Sequence, residues 1–213
     1  PRSAEEYRKA LEANERAADR MNRVIQDLLL LARSDTHRLD LQIRPTRVVD
    51  VVEQSLDALG PAEAFRVEVQ EIAPDLSVRG DSVQLVRLLT NLLQNSVRYT
   101  PAAGRVTVAA RRSGQEVALV VEDTGIGIPP EHLPRICERF YRVDSARARG
   151  EGGTGLGLAI CQSIAEAHGG RLTIVSHVGK GTVVTVSLPA AQMIAEPATA
   201  GAIVLPAAAP HSG

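Results

Sequence analysis

Three short stretches of this 213-residue chain carry residue types that could do chemistry together. In NLLQNSVRYT, Asn91 and Asn95 are four residues apart. On a helix that spacing puts both carboxamides on one face, while Leu88, Leu89, Leu92 and Leu93 form the apolar side. Amide oxygens suit a hard cation such as magnesium, which keeps several waters and takes few protein ligands. The plain alternative is a helix with two solvated asparagines. In VVEDTGIGIP an apolar strand ends at Asp123, and Gly125 and Gly127 follow at once. A carboxylate there can accept a hydrogen bond from an exocyclic amine, and glycines let backbone approach a flat ring. A polar strand end with a tight turn reads equally well. In GGTGLGLAI, Gly153, Gly155 and Gly157 stand before and inside a helix N-terminus. Free N–H groups and the helix dipole there suit phosphate oxygens. The spacing lacks the GK[ST] ending of a Walker loop, and an Arg-rich loop replaces the strand that should precede a Rossmann turn.

These stretches need elements to hold them. Asp81 reads as the N-cap of a helix running to Tyr99, with Pro101 as its stop. RVTVAARR (105–112) and EVALVVED (116–123) read as strands joined at Ser113-Gly114. A helix from Gly155 to Ala167 stops at His168-Gly169-Gly170. RLTIVSH (171–177) and TVVTVSL (182–188) close a second hairpin around Gly179-Lys180-Gly181. Upstream, LDLQI (39–43) is expected as a strand, Arg47–Leu59 as a helix, FRVEVQEI (65–72) as a strand and Leu76–Arg79 as a short strand. Residues 124–154 are rich in Gly and Arg, show no period, and are expected to form a mobile lid. From Pro189 onward Ala and Pro dominate, which predicts a flexible tail.

The first element is different in kind. From Ser3 to Arg33, Tyr7, Leu11, Asn14, Ala18, Met21, Ile25, Leu28 and Ala32 recur in steps of four and three. That is the seam of a helix packed against other helices in a coiled coil or bundle, with Asn14 as its one polar position. An amphipathic helix lying on its own domain is the alternative. Ser34 to Arg38 breaks the pattern.

Composition narrows the field. The chain is 44% hydrophobic and 23% charged, enough for a packed core and against wholesale disorder. With 24 basic and 25 acidic side chains, the net charge of -1 provides no basic field for nucleic acid or anionic lipid. No apolar run approaches the roughly 20 residues of a membrane span, and PRSAEEYRKALE does not resemble a signal peptide. Cys137 and Cys161 are too few for a disulfide framework or a structural zinc site, so a reducing cytoplasm is the simplest home.

Taken in order, the motifs closely resemble the N, G1, F and G2 boxes of the bacterial two-component sensor histidine kinases. NLLQNSVRYT resembles the N box, DTGIGI the G1 box, ERFYRVD (138–144) the F box and GTGLGLAI the G2 box. The leading helix, ending in RMNRVIQDLLLLARSD, resembles the second helix of that family's dimerisation domain. The resemblance runs from about residue 3 to 188. It implies an α+β fold: a Bergerat-type ATP-binding α/β sandwich, a mixed sheet covered by helices, preceded by one long bundle helix. Residues 1–37 would be the second dimerisation helix, 38–188 the catalytic ATP-binding domain and 189–213 the tail.

By the same resemblance the cofactors are ATP and magnesium. Asn95 would coordinate the metal, with Asn91 near the same site. Asn95, Arg98 and Arg142 would form the catalytic set, Arg98 near phosphate and Arg142 on the γ-phosphate. Tyr99 would pack beside the nucleotide and Asp123 would read the adenine amine. Gly125, Gly127 and Ile128 would line the base pocket. Gly153, Thr154, Gly155, Leu156 and Gly157 would shape the phosphate end of the lid, with Phe140 as its anchor. The implied partners are ATP or ADP, the receiver domain of a response regulator, and a second copy through the helical domain of the full-length protein. No nucleic acid is implied, and a membrane only through upstream segments. The domain itself would be cytoplasmic, with the full-length protein anchored in the inner membrane.

Two departures stand out. Cys137 occupies a position where the family commonly has an aromatic, and it reads as a small core residue before a reactive thiol. The family's phosphoacceptor histidine, in a motif like HELRTPL, has no counterpart among His37, His132, His168, His177 and His211. Pro1-Arg2-Ser3 reads as the turn before the second helix, with Ser3 as N-cap and Glu6 completing a capping box, so the acceptor is expected upstream. A gyrase-type ATP hydrolase is the nearest competing reading. That enzyme typically has a glutamate base four residues before the magnesium asparagine, where this chain has Asn91. A degenerate, purely protein-binding module is the other, opposed by intact Asn95, Asp123 and all three lid glycines.

Overall fold

The computed structural model describes residues 4–35, 39–70, 72–143 and 154–191. Gly153, Asp144, His37, His211, the Pro1–Ser3 turn and the tail beyond residue 191 lie outside the described residues. A five-stranded mixed sheet carries the domain. Its order is β2 (Val67–Val69), β4 (Val106–Ser113), β5 (Glu116–Asp123), β7 (Gly181–Pro189), β6 (Arg171–His177). β2 runs parallel to β4, and every other neighbour is antiparallel. Alternation along the strands gives the sheet one buried face. Val106 and Val108, then Val117, Leu119 and Val121, then Val184, Val186 and Leu188 belong to one hydrophobic cluster.

The helices α2 (Val48–Leu59), α4 (Ser82–Tyr99) and α5 (Gly157–Ala167) share that cluster, joined by the end of the leading helix. α4 is central because Leu85, Leu88, Leu89, Leu92 and Leu93 recur at three- and four-residue steps and are all essentially inaccessible. Each such side chain contributes about 1.5–3 kcal/mol through burial, before entropy. Asp81 starts α4 as expected, accepting the Gln84 N–H at 3.2 Å. α5 runs antiparallel to α4. Cys161 donates its thiol proton to Leu88 O at 3.4 Å, and at the far end His168 Nε2 accepts the Asp81 N–H at 3.0 Å. Buried His168 also bonds Ile164 O through Nδ1 at 2.7 Å, so it serves as a structural joint.

Several expectations need correction. LDLQI (39–43) is not a strand; Gln42 N–H donates to the Asp81 carboxylate at 3.0 Å, and Leu39 packs against the core. The strand is β1 (Arg44–Arg47), paired antiparallel with the four-residue β3 (Ser77–Gly80), which is too short to reach the earlier residues. Among the described residues of FRVEVQEI only Val67–Val69 joins the sheet; a short helix α3 (Pro61–Ala64), which the pattern did not predict, leaves Phe65 in a helical conformation. α5 begins at Gly157, two residues later than expected. The tail does not start at 189. β7 includes Pro189, Ala190 bridges Val78, and buried Ala191 donates to Ser77 O at 2.9 Å.

The long helix α1 (Ala4–Asp35) runs past the expected break at Ser34. Its seam residues Tyr7, Leu11, Met21, Ile25 and Leu28 are exposed, whereas Leu30 and Leu31 are buried in the domain's core cluster. Asp27, also buried, meets Arg87 of α4 at 2.6 Å. No helix among the described residues is long and apolar enough to cross a membrane.

Candidate nucleotide site

The C-terminal end of β5 delivers Asp123 beside the last turns of α4. Its carboxylate is 8% exposed, accepts the Gly125 N–H at 2.9 Å and accepts the Ser96 hydroxyl at 3.3 Å. Burial pushes its pKa above the ordinary value of 3.8, and the bonds from Gly125, Ser96 and the Thr182 backbone only partly oppose it. An acid held this way is a fixed hydrogen-bond acceptor that solvent barely competes for.

The loop after Asp123 is shaped by contact. A Cβ at Gly125 would lie 2.5 Å from Tyr99 O, so only glycine lets this loop sit against the end of α4. Ile126 N–H then donates to that carbonyl at 3.2 Å. Gly127 has φ 69°, and a Cβ there would meet His177 O at 2.1 Å. Ile128 N–H donates to Ser176 Oγ at 2.8 Å, and Gly179 N–H to Ile126 O at 2.8 Å. The loop is thus riveted between α4 and the β6–β7 hairpin.

Asn91 and Asn95 are half-buried, one turn apart on α4. A Cβ at Gly157, the first residue of α5, would stand 3.7 Å from Asn95 Nδ2. The Asn face and the glycine loop therefore meet. Just before α5, Leu156 is fully buried and its N–H donates to Thr154 Oγ1 at 3.3 Å. Gly155, at φ 72°, accepts the Phe140 N–H at 2.9 Å, and a Cβ on it would touch the Phe140 backbone at 2.8 Å. Phe140 is tied down by its backbone, since its ring is 60% exposed; the ring is no buried anchor. Arg98 and Tyr99 are exposed at the end of α4, with the guanidinium 5.8 Å from the ring centroid. Arg142 is half-buried.

The fold brings Asn95, Asp123, Gly125, Gly155 and Gly157 to the ends of two helices and one strand, and Gly153 lies outside the described residues. Sequence reasoning assigned no role to Ser96 and Ser176. Ser96 sits inside the quoted NLLQNS motif, one residue past Asn95, which was its only signal. Among the described residues no group of three or more His, Cys, Asp or Glu could hold a metal. A cleft of about 410 Å³ lies on the outer side of α5, lined by Leu31, Cys137, Gln162, Ser163 and Glu166 among others; of the three motifs it touches only Ala159, and none of the nucleotide-site residues assigned above. Burial, with Glu166 nearby, raises the Cys137 pKa, so its thiol is not activated. Burial also pushes the Cys161 thiol up.

Residues 80–192, just over half of the chain, match the family described as histidine kinase-, DNA gyrase B-, and HSP90-like ATPases. The phosphate regulon sensor protein PhoR of Pseudomonas aeruginosa is 38% identical over 188 residues, covering 87% of this chain and 42% of that protein. Sensor histidine kinase CusS of Escherichia coli K12 is 37% identical over 190 residues, covering 89% and 39%. The chain thus spans about two fifths of the length of these relatives. Among solved structures, the mycobacterial sensor histidine kinase MprB is 33% identical with a TM-score of 0.61, covering 70% of this chain and all of that one. Full-length ShkA in complex with AMPPNP is 26% identical with a TM-score of 0.75, covering 90% and 40%.

Proposed function

The chain belongs to the histidine kinase-, DNA gyrase B- and HSP90-like ATPase family, on its sensor histidine kinase branch, and we propose that residues 38–188 bind ATP with magnesium and transfer its γ-phosphoryl group to a histidine. The observation that carries this is the pairing of buried Asp123, fixed beside Gly125, with Asn95 standing against Gly157. One end can recognise a base and the other can hold phosphates.

The roles follow from that division. The Asp123 carboxylate accepts the adenine amine, and the closely approached backbone of Gly125, Gly127 and Ile128 walls the base. Tyr99 packs beside the nucleotide. Asn95 offers its amide oxygen to magnesium, with Asn91 one turn away; the ion would neutralise phosphate charge. Neutral amides suit a cation that takes its remaining ligands from phosphates and water. Thr154, Gly155, Leu156 and Gly157, with Gly153 before them, present backbone to the phosphates, while Arg98 and Arg142 supply positive charge. Phosphoryl transfer asks for this positioning and charge neutralisation more than for covalent chemistry.

The acceptor we place on a helix upstream of this sequence, since none of the five histidines has the acceptor context. His168 is locked in a structural joint and His132 bonds Tyr141. Relay would pass to the receiver domain of a response regulator. Residues 1–37, as the second dimerisation helix, would pair with a second copy, and any membrane anchor would be upstream. Calorimetry with ATP and magnesium tests the binding step. Asp123→Ala should abolish it, and no binding at millimolar nucleotide would end the reading. Incubation with γ-labelled ATP should leave this chain unlabelled, and when a fragment carrying the upstream helix is added the label should appear on that fragment. Acid-labile label on one of the five histidines would overturn the placement of the acceptor.

A further inference from the structure

The segment from Pro129 to Tyr141 keeps a shape that its backbone alone does not explain. His132 N–H donates to Pro129 O (3.0 Å), Arg135 to His132 O (3.0 Å), Glu138 to Arg135 O (2.8 Å) and Tyr141 to Glu138 O (3.2 Å). All are bonds to the third residue back, which have poor geometry and do not propagate. At the end of the series Phe140 takes φ 63°. A left-handed backbone costs a non-glycine residue roughly 1–2 kcal/mol, and the exposed ring recovers little by burial. Such strain persists only where the surroundings over-determine it.

Two restraints flank Phe140. On its N-terminal side is the bond from its own N–H to Gly155 O at 2.9 Å. After it, Tyr141 is clasped by side chains from the earlier turns. His132 Nδ1 lies 2.6 Å from the Tyr141 hydroxyl. The Arg135 guanidinium carbon lies 4.4 Å from the Tyr141 ring centroid, a cation over a π face. Glu138 holds Arg135 in turn, with contacts of 3.1 and 3.2 Å from Nε. The next residue is Arg142.

We propose that His132 and Arg135 are positioning residues for the terminal phosphate of the nucleotide: by clasping Tyr141 they fix the left-handed turn at Phe140 and so direct Arg142. This rests on the reading of Arg142 as the γ-phosphate contact. A clasp that acts through Arg142 matters for ATP and not for ADP, whereas a clasp that merely stabilises the fold affects both alike.

The test is calorimetric titration of the chain with magnesium and either a non-hydrolysable ATP analogue or ADP, with a thermal scan of each variant. Tyr141→Phe keeps the ring and removes only the hydroxyl; His132→Ala removes its partner; Arg135→Met removes the cation and keeps the bulk. Each should weaken the ATP analogue by about five- to tenfold, the scale of one net hydrogen bond, and change ADP less than twofold. His132→Asn, whose amide can meet the hydroxyl, should restore most of the loss. His132→Ala with Tyr141→Phe should be no worse than either alone. An unchanged ratio of the two affinities, or an equal loss of both, would overturn the proposal while leaving the nucleotide reading intact. A wild-type chain that binds neither nucleotide would overturn the nucleotide reading, and a ratio that Arg142→Ala leaves unchanged would overturn the role of Arg142; either would take the clasp with it.

Discussion

At the scale of single residues, Asp123 shows function set against stability. Burial makes ionisation costly, so its pKa is raised above 3.8 in the folded state. The sign follows directly: the folded chain binds more protons than the unfolded one as pH rises from 3.8 to that raised value, and stability falls across the window. Below it the carboxyl is neutral in both states and the penalty is absent. Asp123→Asn should therefore raise the thermal midpoint of the nucleotide-free protein at pH 7, and this gain should shrink as pH falls through the raised pKa toward 3.8 and be absent below it. The amide can still meet Gly125 N–H and Ser96, so packing is kept, but ATP affinity should fall at least tenfold because a rigid amide cannot serve all three partners. A thermal series across pH with parallel titrations checks both halves; a midpoint that drops at pH 7 would contradict the argument. Asp123 was legible in the sequence because a carboxylate ending an apolar run, followed by glycines, is an unusual pattern. Ser96 and Ser176 were not. A serine carries no period, and its role depends on which strand end or loop amide the fold sets beside it, here Asp123 and Ile128.

Among the elements, α4 bears the site and is held from both ends by distant parts of the chain. His168 of the α5 terminus meets its start at Asp81, and Arg66 closes its finish. Arg66 donates to Val97 O at 2.9 Å, Thr100 O at 2.7 Å and Pro101 O at 2.9 Å. These are carbonyls left open at a helix C-terminus, where a cation is also favoured by the dipole. Arg66→Ala should cost about 2 kcal/mol, or roughly 4–8 °C in the thermal midpoint, and Arg66→Lys, lacking the fork, should recover only part. Because Tyr99 O receives Ile126 N–H, the loss should also speed amide exchange at Ile126. A midpoint unchanged by Arg66→Ala would show that water caps α4 as well. α4 itself was readable, since its leucine period, Asp81 cap and Pro101 stop all agree. Both hairpins were readable from alternation and turn glycines. The failures came where pairing is long-range. LDLQI alternates as a strand should, but which residues join a ladder depends on a partner some 35 positions away, β3, and on Asp81 taking the Gln42 N–H. β2 likewise was too long in the sequence because nothing local marks where a parallel edge strand leaves the sheet.

For the whole molecule, the question is how α1 sits on the domain it precedes. Its last turns are docked: Leu30 and Leu31 are buried, Asp27 pairs with Arg87, and Arg139 reaches Leu31 O at 3.5 Å. Its earlier turns carry an apolar seam with Tyr7 56%, Leu11 68%, Met21 61% and Ile25 52% exposed. The seam was legible from its four-and-three spacing; the docking was not, because Leu30 and Leu31 interrupt that period and Asp27 finds its partner 60 residues on. A stripe of this length and spacing, bare in a single chain, is the surface on which helices associate. The chain should therefore self-associate in a concentration-dependent way, measurable by sedimentation at micromolar to millimolar concentrations. Leu11→Glu with Ile25→Glu places charges on the seam without touching Leu30, Leu31 or Asp27. That variant should sediment as a monomer at every concentration and keep the wild-type affinity for ATP, because the seam and the nucleotide loop share no residue. Disrupting Asp27 instead, with Asp27→Ala, leaves Arg87 without its partner in a half-buried position and should lower stability by about 1–3 kcal/mol. It should leave association intact. If the seam variant still associates, the contact lies on the sheet or its edges; if it loses ATP binding as well, α1 contributes to the nucleotide site in a way its contacts in this fold do not account for.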